Sequence, residues 1–188
     1  MSCYHQCPRI VLVEPKPAPP TTAPPTTAAP TCTVNYLSTQ TIELCCVSGR
    51  IISDWIRESS DCTCLTAPTG QFNNQFLWAC AGTVEITGSV VVDIEGLQNS
   101  ENESIFLRLN VNGSFTDSRT LFSGPIVANE DQKVTVPFTF NTTIPSPQLF
   151  FTLVGAQSSP FVSPQIFKGV LTDLKITLRF TSESGCSC

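Results

Sequence analysis

The sequence predicts an all-β protein: an antiparallel, jelly-roll-like β-sandwich behind an extended N-terminal arm. Three observations carry this expectation. Apolar and polar residues alternate with a period of two through most of the chain after Cys32. The apolar set is mainly Val, Ile, Leu and Phe, with a single Met among abundant Thr, Ser and Asn, a composition suited to pleated, half-buried surfaces. Between the head and the alternating region lies PKPAPPTTAPPTTAAPT, residues 15–31, whose prolines fix φ and remove backbone donors, excluding helix and central strand.

The alternating segments can be taken in order. Val84, Ile86, Val90, Val92 and Ile94 oppose Thr83, Glu85, Thr87, Val91 and Asp93, with Gly88 as an expected bulge or bend. Ile105, Leu107, Leu109 and Val111 form the next set, and Asn112-Gly113 then supplies the positive φ values of a tight hairpin returning through Thr120, Leu121 and Phe122. Val134, Val136, Phe138 and Phe140 follow, with Pro137 indicating an edge strand. Leu149 to Val154 is apolar except for Thr152, as in a strand buried on both faces. The last strand places Val170, Leu174, Ile176, Leu178 and Phe180 inward and Asp173, Lys175, Thr177 and Arg179 outward.

Residues 33–80 are less regular. Thr41 to Val47 and Phe72 to Cys80 are expected strands of the same sandwich, and Ser53 to Glu58 is the one place where a short helix could start. Roughly eight strands with frequent Gly, Pro and Asn punctuation favour a jelly roll over an immunoglobulin topology. The chain of 188 residues thus divides into a cysteine-bearing connector at 1–14, the spacer at 15–31 and a sandwich domain at 32–188. In polyproline II geometry the spacer reaches on the order of 50 Å.

Charge narrows the function. A net charge of −5, with ten dispersed Lys and Arg, gives no basic patch for nucleic acid and no basic amphipathic stretch for a membrane surface. The apolar run Ile10 to Val13 is far shorter than a signal-peptide core or a membrane span. Ten cysteines nevertheless signal an oxidising compartment. Met1-Ser2-Cys3 reads as a natural start, so the expected history is synthesis without a Sec signal and oxidation after release; removal of a leader is the other resolution.

The cysteines carry the main functional signal. Vicinal Cys45-Cys46 and the pairs Cys62-Cys64 and Cys186-Cys188 cannot close on themselves without strain, so each pair reaches two different partners. Cys3, Cys7, Cys186 and Cys188, near the two chain ends, are expected to cross-link molecules. Cys32, Cys45, Cys46, Cys62, Cys64 and Cys80 are expected to staple the domain internally, and pairing of all ten within one chain is the alternative. The strip Ile10, Val11, Leu12 and Val13 is expected to dock, either as an added strand on a neighbour's sheet edge or back onto its own sandwich.

No metal or other cofactor is expected, because no Cys-X2-Cys pairs occur to supply four zinc ligands near Cys3, His5 and Cys7. No enzyme is expected either. His5, the only histidine, lies on the head, and Asp93, Glu95, Asp117, Glu130 and Asp131 form no visible acid/base pair. Asn102, Asn112 and Asn141 begin N-glycosylation triplets that a chain this rich in Asn, Ser and Thr yields by chance. Trp55 and Trp78 are read as core.

The cysteines of MSCYHQCP, a flexible linker and one Thr/Val-rich sandwich without a secretion signal together resemble the subunits of bacterial endospore appendages, the pilus-like fibres of Bacillus-type spores. The resemblance covers the layout of the whole chain rather than an identifying string. It implies subunits that stack through their sheets while the connector's cysteines bond a preceding copy. The long Pro/Thr spacer, the middle cysteines and the Cys-X-Cys terminus depart from that pattern. They leave open a fibre subunit on a spore or cell surface, an anchor joining a fibre to a spore-coat or exosporium protein, or a stalked adhesive, lectin-like binding module.

Overall fold

The structure, a computed structural model, describes residues 29–44, 49–66, 68, 73–145, 150–158 and 166–183. The head, almost all of the spacer and four of the site cysteines (Cys45, Cys46, Cys186 and Cys188) lie outside those residues, as do Cys3, Cys7 and Ile10 to Val13.

Among the described residues twelve strands follow one another: β1 (Thr31–Ser38), β2 (Ile42–Glu43), β3 (Arg50–Ile51), β4 (Trp55–Ser60), β5 (Leu65–Thr66), β6 (Phe76–Trp78), β7 (Gly82–Gly96), β8 (Ser100–Val111), β9 (Ser114–Ile126), β10 (Asp131–Ile144), β11 (Phe150–Gln157) and β12 (Phe167–Ser182). One sheet has the order β10-β7-β12-β1-β4, with β2 also on β12, and the other β5-β6-β11-β8-β9, with β3 also on β11. Four antiparallel pairs nest: β8 with β9, β7 with β10, β6 with β11 and β1 with β12. They fall alternately in the two sheets, which is a two-stranded ribbon rolled on itself, and hence a jelly-roll-like sandwich.

The pattern logic holds for most of the long strands. Val84, Ile86, Val90, Val92 and Ile94 are all buried along β7, and Asn112 and Gly113 turn β8 into β9 with φ of 50° and 79°. Pro137 lies on β10, which among the described residues is an edge strand paired with β7. The outward-facing Thr152 and Val154 of β11 are buried as well as the inward-facing Phe151 and Leu153.

Three expectations are corrected. Ser53 to Glu58 does not start a helix: Asp54 takes a left-handed φ of 56°, and the backbone beyond it pairs with β1 as strand β4. Gln40 holds the turn by accepting both the Ser53 N–H at 2.7 Å and the Ser53 hydroxyl at 3.2 Å. Gly88 is not a bulge. The irregularity lies on β12 opposite Val90, between Thr172 and Lys175, where Asp173 has a φ of 51°. That extra residue shifts the phase of β12, so Leu171 is buried and Val170 is not. Gly88 is needed for close approach, since a Cβ there would lie 2.2 Å from the Lys175 carbonyl oxygen and 2.7 Å from the Phe138 ring.

Two aromatic groups centre the core. Phe76 stacks on Phe151 at 4.7 Å and meets the edges of Tyr36 and Trp55, each at 5.1 Å. Trp78 stacks on Phe180 at 4.4 Å. The Tyr36 hydroxyl is buried without a hydrogen-bond partner among the described residues, and burial pushes its pKa up against a smaller opposing pull from Arg57. A raised folded-state pKa means stability is unaffected below the ordinary tyrosine range near 10 and falls as pH rises beyond it. Tyr36→Phe is therefore expected to be between neutral and about 1 kcal/mol stabilising at pH 7, with the advantage growing above pH 10, in urea titrations at both pH values.

Candidate functional site

The chain concentrates sulfur at one end of the sandwich. Cys32 enters β1 opposite Phe180 of β12. Beyond β4, the Asp61 N–H donates to the Thr33 carbonyl at 3.1 Å, extending the β1–β4 pairing past the last strand residue. This carries Cys62 to Cys32, and the two form a disulfide with Cα atoms 5.1 Å apart. Cys64 places its Sγ 4.0 Å from that of Cys32. Cys64 and Cys80 are also disulfide-bonded, and all four sulfur-bearing residues are buried. Arg57 closes the turn, donating to the Cys62 carbonyl at 3.0 Å and to Ser60 Oγ.

The same end releases both termini of the domain. Thr31 faces Thr181, the Ser182 N–H donates to the Pro30 carbonyl at 3.0 Å, and the Glu183 N–H donates to the Ala81 carbonyl at 3.1 Å. Antiparallel pairing of the first and last long strands forces this adjacency, so the two chain ends depart about one strand spacing, ~4.8 Å, apart.

Among the described residues the sheets end at β10 and β4 in one and at β9 and β5 in the other. β4 is exposed after Trp55, with Ile56 51% accessible, and β10 presents Val134 at 43%. Long open edges are templates for another strand, and here they carry partial blocks in Pro137, Lys133 and Arg119. Arg119 of β9 donates to the Thr139 carbonyl of β10 at 2.7 Å, and its guanidinium lies 4.8 Å from the centre of the Phe140 ring. It also pairs with Asp117 at 2.8 Å, and its side-chain hydrogen bond is the main cause holding that carboxyl below its ordinary range.

Two surface features escaped the sequence reading. The outer face of the first sheet aligns short polar side chains in rows across β1, β12, β7 and β10: Thr31, Thr181, Thr83 and Thr143 in one, Asn35, Thr177, Thr87 and Thr139 in another. Between them lie Thr33, Arg179, Glu85 and Asn141, with Arg179 3.9 Å from Glu85. On the outer face of the second sheet, a groove of about 640 Å³ is floored by Phe106, Arg108, Asn110 and Val154 and flanked by Phe115, 64% exposed beside the β8–β9 turn. The Arg108 guanidinium sits 6.0 Å from the Phe106 ring centre. The only visible signal for the groove was an aromatic residue two places beyond the turn glycine.

Of the carboxylates weighed for acid/base chemistry, Asp93, Glu95 and Asp131 line one open surface pocket with Lys168, while Asp117 lies apart on β9. Asp93 faces Lys133 at 3.6 Å, and Asp117 faces Arg119. A buried carboxylate absent from that set, Glu103, accepts from Ser100 and Ser158 hydroxyls at 2.9 and 2.8 Å.

No family model matches the chain, and no curated protein matches it. Solved structures similar in overall arrangement include Eiger TNF from S. frugiperda, at 9% identity and a TM-score of 0.44 over 86% of this chain and 98% of that one. Murine APRIL is similar at 10% identity and 0.41, over 76% and 98%. PRD1 vertex protein P5 is similar at 12% and 0.40, over 80% and 73%.

Proposed function

We propose that this chain is a structural subunit of a disulfide-cross-linked, self-assembling fibre on a spore or cell surface, with copies of itself as principal partner. The observation that carries this reading is the departure of both cysteine-bearing terminal segments from one end of a stapled sandwich. Only three residues separate Ser182 from Cys186, so the Cys186 and Cys188 pair stays tethered near the domain. Cys3 and Cys7 hang on a spacer that reaches on the order of 50 Å, far enough to meet the tail of a neighbour. The strip Ile10 to Val13 would add to a sheet edge such as β4, which is exposed beyond Trp55. Oxidation of a thiol pair across that contact would then make the junction covalent.

The test compares the intact chain with one lacking residues 1–31, both oxidised, by non-reducing electrophoresis and negative-stain microscopy. The expected result is a ladder and fibres from the intact chain only, stable in denaturant and dissolved by reductant. A monomer in both samples would refute the polymer and move the assignment to a stalked binding module. That second reading is favoured by the groove around Phe106, Arg108 and Phe115, and glycan binding by the shortened monomer would support it.

A further inference from the structure

Before oxidation, the sulfur-rich end has the makings of a metal centre. Cys32 Sγ, Cys62 Sγ and an Asp61 carboxylate oxygen lie within 4.8 Å of one another, and Cys64 Sγ is 4.0 Å from Cys32 Sγ. Two thiolates on one tetrahedral zinc, each bonded at about 2.3 Å, stand roughly 3.8 Å apart. The Cys32 to Cys64 separation already approximates that edge, and opening the Cys32–Cys62 bond leaves the third sulfur free to turn to the same spacing. These ligands come from β1 and from residues 61–64, segments brought together by strand pairing, which is why the spacing along the sequence discloses no zinc motif.

We propose that the reduced chain binds one Zn²⁺ through Cys32, Cys62, Cys64 and Asp61, and that oxidation exchanges the metal for disulfides. The surroundings suit the task. The three sulfurs are buried, while Asp61 is exposed and gives the ion a route in and out. In a reducing compartment the β1–β4 end would otherwise hold unpaired thiols, and the ion would fix it in nearly the oxidised arrangement. The exchange balances with a small-molecule disulfide as oxidant. Cys32 and Cys62 thiolates give up two electrons and form their S–S bond; the oxidant takes those electrons with two protons and leaves as two thiols; Zn²⁺ departs to solvent. Cys64 is oxidised into its own disulfide by the same two-electron chemistry. The proposal stands apart from polymerisation, since every ligand belongs to one chain.

The experiment uses the full chain, reduced under anaerobic conditions and titrated with Co²⁺. One equivalent should give thiolate charge-transfer absorption and the d–d bands of a tetrahedral site, both erased by added Zn²⁺. Cys32→Ser and Cys64→Ser should each weaken the charge-transfer absorption of that equivalent, Asp61→Asn should alter the d–d bands, and Cys3→Ser with Cys7→Ser should change neither. Independently of any variant's folding, oxidised glutathione added to the zinc-loaded native chain should release zinc, read with a chromophoric chelator, in step with the Cys32–Cys62 linked peptide in mass spectra. Absence of Co²⁺ binding, loss of binding with the Cys3 and Cys7 changes instead, or zinc retained after the Cys32–Cys62 bond has formed would each overturn the proposal.

Discussion

Replacing Cys32 and Cys62 together by alanine is expected to destabilise the oxidised domain by roughly 3 to 4 kcal/mol, the loop-closure value for the 30-residue separation the bond spans. Domains of this kind are stable by only about 5 to 15 kcal/mol in total, so the loss is a large share. Changing both residues avoids a stray thiol beside Cys64, which lies within exchange distance of this pair. Tryptophan fluorescence in a urea titration without reductant measures it directly. An unchanged midpoint would mean that the β1–β4 pairing and the remaining disulfides hold this end unaided. The effect should vanish when both proteins are reduced beforehand.

Phe76→Ala should have an effect of similar or greater size, about 3 to 5 kcal/mol. Phe76 is fully buried on the three-residue strand β6 and touches Tyr36, Trp55 and Phe151, which belong to three other strands and to both sheets. Its loss leaves a cavity that none of these rings can fill without giving up its other contacts. Phe76→Leu retains much of the volume and should lose less. Calorimetric melting of the two variants separates the effect of volume from that of ring stacking. Equal losses would show that stacking geometry, not the filled space, is what β6 contributes.

Much of the fold was legible because the long strands each have one wet face and one dry face, so the period of two survives in the sequence. β7 and the middle of β8 follow it, and Asn112-Gly113 marks the turn from β8 into β9 by the φ values it must adopt. The reading failed where pairing with a distant strand, not local pattern, sets the structure. Ser53-Asp54 resembles a helix start, but the backbone after it is taken by β1, more than a dozen residues upstream. On β12, Leu171 and Leu174 are three apart; the simple alternation was kept through them, although that spacing is the mark of an inserted residue. The cysteine end shows the same limit. Cys32 and Cys62 meet only because β4 runs beside β1, and no spacing rule could name that partner among the other cysteines. The threonine rows are likewise a product of register: each strand showed its polar face, and only the pairing lines them up.

The side-by-side exit of the chain at Thr31 and Thr181 also decides how the domain would carry tension. A pull between the segment before β1 and the segment after β12 acts across a single strand spacing, not along the long axis of the sandwich. The rest of the sandwich hangs beside the force line as a pendant, whereas a domain whose ends leave from opposite poles would be a link in series. Under such a pull the first hydrogen bonds to open are those around Thr31 and Ser182, one after another, as a zip opens rather than as two plates shear. The Cys32–Cys62 bond lies one residue inside that opening point, so the unzipping of β1 meets a covalent stop at its outset.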